Sequence, residues 1–227
     1  MSLSGTTDFN MDLAEIIDEA YERCGVDGAR TGYAFKTARR SLSLLLMSWA
    51  NLGINLWTVS EGSIPLVQGT ATYDLPPDTV DLIEHVVRTG SGTLQSDLSM
   101  SRISVSTYAT TPRKTSTGRP VQLYINRQSP TPTVTVWPIP DSNVYTLVYW
   151  RLRRLQDAGH GGTTQDVPFR FLPALIAGTA YHLALKTPEG AARLPLLKAQ
   201  YDEALADAMA EDREKTPLRL TPGPGWI

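Results

Sequence analysis

Cysteine is almost absent from this sequence, with Cys24 the only one in 227 residues. An internal disulfide is therefore excluded, and the fold does not depend on an oxidising compartment. Cys24 falls on the apolar stripe of a predicted helix, where a buried structural thiol is expected rather than a reactive one. Long hydrophobic runs are also missing, since the longest, residues 44–47, is far shorter than a membrane span.

The N-terminal residues carry neither the positive charge nor the apolar run of a signal peptide. Together with the absence of a membrane-spanning run, this predicts a soluble protein that is made in a cytoplasm and has no membrane partner.

Residues that carry chemistry are scarce and scattered. The histidines, His85, His160 and His182, fall in a predicted strand, a loop and a helix, with no second ligand at metal-binding spacing. The sequence has no Gly-x-Ser-x-Gly motif, and the glycine-rich segment 159–163 lacks the lysine of a phosphate-binding loop. We therefore predict no catalytic residue, no metal ligand, no cofactor-binding residue and no cofactor.

Acidic residues are missing between Leu98 and Pro140, although the net charge of the chain is −2. The small negative charge argues against a protein that binds nucleic acid through an overall basic surface. The acid-free segment nevertheless carries a group of basic residues, namely Arg102, Arg113, Lys114, Arg119 and Arg127. These residues predict a basic rim that faces a partner or DNA phosphates without reading bases, or else simply solvated loop charges.

Four amphipathic helices are predicted, two at each end of the chain. Apolar residues at helical spacing indicate helices over about 11–24 and 32–51. A third helix begins near Pro168 and carries a stripe that includes Leu175 and Leu183, and a fourth covers about 189–214. Each end holds half of a bundle that would bury its stripe poorly alone, so we expect the two ends to meet.

The middle of the chain has β character and many turn residues. Short strands are predicted at 56–59, 64–67, 81–88, 121–126, 133–137 and 144–152, while 103–108 fits either a helix or a strand. The predicted fold class is α+β, a split four-helix bundle with an inserted small antiparallel β lobe and an extended C-terminal tail. The predicted domains are a helix bundle (1–53 and 163–215), a β-rich insert (54–162) and a docking tail (216–227).

Two apolar features lie outside a simple amphipathic pattern. Leu44, Leu46 and Met47 widen the stripe of the second helix, which predicts either lateral packing between chains or core packing within one chain. The proline- and glycine-rich tail ends in Trp226 and Ile227, which fits either an apolar anchor that docks into another surface or a frayed terminus. The candidate docking residues are Pro217, Leu218, Leu220, Pro222, Trp226 and Ile227.

The order and spacing of several segments resemble the head-to-tail adaptor proteins of short-tailed phages over nearly the whole chain. The matching segments are 16–25 (IIDEAYERCG), 37–42 (TARRSL), 49–57 (WANLGINLW), 118–120 (GRP), 137–141 (WPIPD), 149–151 (YWR), 175–181 (LIAGTAY) and 201–205 (YDEAL).

This resemblance implies a structural virion protein rather than an enzyme. Such adaptors form a twelve-fold ring at the head–tail junction, beneath the portal protein, where they extend the channel for double-stranded DNA and bind the tail nozzle or tubular protein. The C-terminal segment in the family docks on the portal, a role that falls here to 216–227. Two other functions remain possible, a virion-associated peptidoglycan hydrolase and a non-specific DNA-binding module that uses the basic middle segment.

Overall fold

Two compact units make up the computed structural model, which describes residue 5 and residues 9–26, 32–53 and 56–212. The described residues of Met1–Ile54 and Gln156–Ile227 form the first, which we call the helical unit. Asn55–Leu155 forms the second, the β unit. The β unit is inserted in sequence between the two parts of the helical unit.

Local sequence explains both ends of helix α1 (Leu13–Cys24). The Asp12 side chain accepts a hydrogen bond from the Glu15 backbone N–H, and Glu15 accepts one from the backbone of Asp12, forming a capping box. Gly25 ends the helix with a φ of 77°, a left-handed conformation that suits glycine. The apolar stripe of α1 between these caps is buried in the helical unit.

Helix α4 is the centre of the helical unit. The other helices there are α2 (Gly32–Asn51) and α5 (Leu194–Glu211), and α4 (Leu172–Ala184) contacts α1, α2 and α5. Ten of the 13 residues of α4 are buried, since small and apolar residues cover nearly its whole circumference. Gly178 gives α2 and α5 room, because a Cβ there would lie 2.7 Å from Leu45 Cδ2 and 2.8 Å from Tyr201 Cε2.

The β unit contains short strands and one short helix, α3 (Val105–Thr110). Its strands are β1 (Val59–Pro65), β2 (Thr72–Asp74), β3 (Thr79–Thr89), β4 (Ser96–Ser99), β5 (Ser101–Arg102), β6 (Thr117–Gly118), β7 (Gln122–Asn126), β8 (Thr133–Trp137), β9 (Ile139–Pro140) and β10 (Tyr145–Arg153). One antiparallel sheet has the order β1-β10-β3-β4 and a second has the order β2-β8-β7-β5, while β6 and β9 form a two-stranded sheet.

One apolar core joins the two four-stranded sheets. Leu82 of β3 and Leu147 of β10 supply it from the first sheet, and Leu123 of β7 and Val134 of β8 supply it from the second. Because side chains alternate between the faces of a strand, each sheet turns one face toward this shared core. The β unit therefore has a buried interior of its own.

The predicted fold class is wrong in its architecture. Within the described residues the α+β structure has five α-helices and ten strands in three sheets, so the β part is large. The pairs β5–β7 and β6–β9 are parallel, which contradicts a purely antiparallel lobe. The other three terminal helices pack around α4 instead of forming a regular four-helix bundle with it, because α4 is apolar on nearly all sides whereas the predicted stripe covered one. The predicted tail lies outside the described residues.

The structure also corrects one local prediction and decides between two alternatives that the sequence left open. The segment predicted as a strand at 56–59 begins instead with a 3-10 turn (Leu56–Thr58), and β1 follows it. The segment 103–108, which left helix and strand open, contributes to α3 because the Ser104 side chain accepts a hydrogen bond from the Thr107 N–H and caps the helix.

Candidate assembly surfaces

The predicted lateral-packing residues of α2 fall on two different sides of the helix. Leu46 is buried in the helical unit with 3% of its surface exposed, whereas Leu44 and Met47 are each 59% exposed. Leu46 therefore packs within its own chain in the described structure. Leu44 and Met47 remain available to a neighbouring molecule.

Basic residues lie on the same outward side of α2, about one and about two turns before Leu44. Lys36 and Arg40 are exposed, and neither forms an ion pair with a residue that the structure describes. Arg39 belongs to a different side, because its guanidinium donates a hydrogen bond to the backbone oxygen of Gly159 at 3.1 Å. The outer side of α2 is thus basic in its first half and apolar in its second.

The predicted docking residues Pro217, Leu218, Leu220, Pro222, Trp226 and Ile227 lie outside the described residues. The structure does describe the point from which this segment leaves. Arg170 forms an ion pair with Asp212, the residue that follows α5, and the Asp212 side chain is only 5% exposed. The Arg170 guanidinium also lies over the ring of Phe171, 5.7 Å from its centroid. Residue 212 is therefore fixed to the helical unit.

An apolar cleft in the helical unit was not predicted from the sequence. Phe9 and Phe169 form its exposed rim with ring centroids 5.9 Å apart, and the cleft has a volume of about 620 Å³. Leu172, Pro173 and Ile176 contribute to its lining. Its two aromatic residues are far apart in the sequence, so no local pattern could reveal their pairing.

Two of the predicted basic residues converge on one acid in the β unit. Arg102 and Arg127 both form ion pairs with Asp81, and the Arg102 Nη2 to Asp81 Oδ1 distance is 3.0 Å. Asp81 lies outside the acid-free segment. It precedes Arg102 by 21 residues in the sequence and Arg127 by 46. One carboxylate thus offsets part of the charge of two arginines.

The other predicted basic residues lie between α3 and β7 on a segment that has fixed backbone contacts. Trp137 Nε1 donates a hydrogen bond to the backbone oxygen of Arg113 at 3.0 Å, and Lys114 Nζ donates to the backbone oxygen of Ala109 at 2.9 Å. Arg113 and Arg119 are exposed and form no ion pair with the part of the chain that the structure describes. Their positive charge is therefore presented to solvent.

Candidate reactive groups are placed as structural groups. Burial raises the pKa of the Cys24 thiol to about 11, and Cys24 Sγ donates a hydrogen bond to the Ala180 backbone oxygen at 3.1 Å. Burial lowers the pKa of His85 and of His182. In the described ranges, no cluster of three histidine, cysteine, aspartate or glutamate side chains is arranged to hold a metal ion.

None of the helices in the described ranges is both long and apolar enough to cross a membrane.

The comparisons with known proteins identify the family. The family model for the SU10 adaptor protein matches residues 11–221, which is most of the chain and includes both units. The chain therefore belongs to the SU10 adaptor protein family. No curated protein matches it.

Membership confirms the class that the sequence predicted, a phage adaptor and structural component of a virion, and it implies a non-enzymatic role. The short-tailed type of phage stays a prediction, as do the ring, the portal contact and the position at the head–tail junction.

Proposed function

We propose that this protein is a head–tail adaptor that assembles as a ring beneath the portal, extends the DNA channel and carries the tail nozzle. The observation that carries the proposal is the family match over 11–221, which includes the helical unit and the β unit together. An adaptor acts through contacts between chains, so its working parts are exposed surfaces rather than an enclosed pocket.

The exposed surfaces of the helical unit support this role. Leu44 and Met47 place an apolar patch on the outside of α2, and an apolar patch next to charged residues is a common feature of protein interfaces. The segment after Asp212 starts from a fixed point and contains Trp226 and Ile227, which we assign as the portal-docking anchor.

The charge of the β unit supports a surface that tolerates DNA without reading its sequence. Arg113 and Arg119 are exposed without ion pairs to described residues, on a segment that carries no acid. Phosphate contacts from such residues are independent of base sequence and weaken with salt. We assign Arg102, Arg113, Lys114, Arg119 and Arg127 to this basic rim of the ring.

Electron microscopy of the protein mixed with its purified portal tests the proposal directly. We expect a ring of twelve copies attached to one end of the portal, whereas the isolated protein elutes from a sizing column as a monomer or weak oligomer. We expect the portal to template the ring, because the proposed anchor at 216–227 makes its apolar contacts on the portal surface. Absence of any portal complex would refute the proposed function.

A truncated chain provides the matched control. Deletion of 216–227 removes Trp226 and Ile227 but none of the residues that the structure describes. We expect the truncated protein to melt at the wild-type temperature and to lose portal attachment. Portal binding at the wild-type level by this variant would contradict the assignment of the tail as anchor.

A further inference from the structure

The outer sides of α2 and α5 have opposite charge. Helix α2 carries three basic residues and no acid, whereas α5 carries Asp202, Glu203, Asp207 and Glu211 with a single lysine. That lysine, Lys198, is paired with Asp202 on another side of α5. Lys36 and Arg40 on α2, and Glu203 and Asp207 on α5, are exposed and form no ion pairs with described residues. Among the described residues, these two complementary surfaces therefore have no ion-pair partner.

Each of these charged pairs belongs to a longer exposed stripe on its helix. The stripe of α2 consists of Tyr33, Lys36, Arg40, Leu44 and Met47. The stripe of α5 consists of Leu196, Ala199, Glu203, Asp207 and Ala210. Successive members of both stripes are three, four, four and three residues apart, which keeps them on one side of a helix.

The equal spacing lets the stripes face each other in either direction, and the charges select one direction. In an antiparallel pairing Arg40 meets Glu203 and Lys36 meets Asp207, while Leu44 meets Ala199 and Met47 meets Leu196. In a parallel pairing Asp207 would instead face Leu44, and Lys36 would face Ala199. Antiparallel pairing therefore satisfies both ion pairs and also buries the exposed apolar residues.

We propose that α2 of one copy packs antiparallel on α5 of the next copy, and that this contact is the lateral contact of the ring. The inference rests on the proposed function for the ring itself. Because two different surfaces of the chain meet, the contact is heterologous, and repetition of a heterologous contact closes a ring when the rotation allows it. Each copy then contributes its basic stripe on one side and its acidic stripe on the other.

Cysteine cross-linking tests the pairing without requiring the charges to change. One chain carries Leu44→Cys and a second carries Ala199→Cys, so that a mixed disulfide joins different copies; the native Cys24 is buried. We expect a covalent heterodimer on oxidation of the two chains mixed on the portal or in concentrated solution. The control replaces Ala199→Cys with Ala210→Cys, which lies on the same stripe about 16 Å further along the helix. Cross-linking of the control to an equal extent would overturn the register.

Charge reversal supplies an independent measurement. We expect Lys36→Glu with Arg40→Glu to weaken self-association at least about tenfold, because like charges would then face each other. Glu203→Lys with Asp207→Lys in the same chain should restore it, since all pairs are then reversed together. Unchanged folding is checked by thermal melting. Loss of association that the second pair of changes does not restore would contradict the proposal.

The outcomes separate this inference from the proposed function. If wild-type rings form on the portal but neither the cross-link nor the charge rescue is seen, the α2–α5 contact is refuted and the adaptor function stands. If the portal is not bound at all, the proposed function fails, and the cross-link in concentrated solution still decides the inference. Its formation there supports the contact, and its absence refutes it.

Discussion

Trp49 Nε1 donates a hydrogen bond to the hydroxyl oxygen of Tyr201 at 3.0 Å, and so joins α2 to α5 across the helical unit. Trp49 is fully buried and packs on Phe171 with a ring-centroid distance of 5.5 Å. Burial raises the pKa of Tyr201, and the hydrogen bond from Trp49 opposes that shift. The contact thus ties an N-terminal helix to a C-terminal helix through a polar group in a mainly apolar setting.

A double-mutant cycle on this pair should show strong coupling. Tyr201→Phe leaves the indole N–H without its acceptor and is expected to lower the free energy of unfolding by about 1–3 kcal/mol. Trp49→Phe should cost more, because it also leaves a cavity beside Phe171. The double variant should lose less than the sum of the single variants, measured by chemical denaturation. Strict additivity would contradict the contact.

Gly178 of α4 predicts a second stability effect. An added Cβ would lie within 3.0 Å of Leu45 and Tyr201 side-chain atoms, so Gly178→Ala should lower the free energy of unfolding by about 1–3 kcal/mol. Helix propensity alone would favour alanine by about 1 kcal/mol. Gly32→Ala is the control, because a Cβ there meets no atom within 4 Å. A stabilised Gly178→Ala variant would show that α4 is less closely packed.

The parts of the fold that local sequence could predict are the helix ends and stripes. The bounds predicted for α2 agree with Gly32–Asn51, and the helix predicted at about 11–24 is found at Leu13–Cys24. Apolar periodicity and capping act within a few residues, so one sequence is enough to reveal them. The stripe that widens at Leu46 also follows from this pattern, although the pattern does not say which neighbour covers it.

The remaining features depend on partners that are distant in sequence. The burial of α4 on nearly all sides involves Ala174, Ala177 and Gly178, whose small side chains give a weak apolar signal until neighbouring helices are in place. The parallel pairing of β5 with β7 and the two ion pairs of Asp81 join separated segments with no shared motif. Such contacts are set by the packed fold rather than by local propensity.

Asp212 should be important for stability although it lies at the end of the described chain. Asp212→Asn removes the negative charge that pairs with Arg170 and leaves the half-buried guanidinium without a counter-charge. We expect this to lower the free energy of unfolding by about 1–3 kcal/mol. Asp202→Asn is the matched control, because its ion pair with Lys198 is exposed and should be worth about 0.5 kcal/mol or less. Equal effects of the two substitutions in chemical denaturation would contradict this prediction.

His85 should make the β unit sensitive to acid. Burial lowers its pKa below the ordinary value of about 6.5, and neither ring nitrogen has a hydrogen-bond partner in the described structure. The unfolded chain therefore binds a proton more readily than the folded one. The contribution of His85 to the free energy of unfolding is complete above about pH 6.5 and declines as the pH falls below that value. His182 contributes in the same direction in the helical unit, because burial lowers its pKa as well.

The measurement is the unfolding free energy between about pH 8 and about pH 5. We expect the free energy of unfolding of His85→Gln to decline less than that of the wild type as the pH falls, whatever its value at the highest pH of the range. Gly32→Ala provides the control, because it changes no titratable group and should follow the wild-type slope. A slope that His85→Gln leaves unchanged would show that its titration does not contribute.

Asp81 should limit the affinity of the β unit for DNA. Asp81→Asn keeps an oxygen that can accept the Leu82 N–H but removes the charge that faces Arg102 and Arg127. We expect tighter non-specific duplex binding and a steeper decline of affinity with salt, by about one to two in the log–log slope, because two more guanidiniums can meet phosphates. Asp97→Asn adds the same net charge but frees only Arg88, so its effect should be smaller. Equal salt slopes for the two variants would mean that net charge alone sets binding, and that the arrangement around Asp81 has no special part in it.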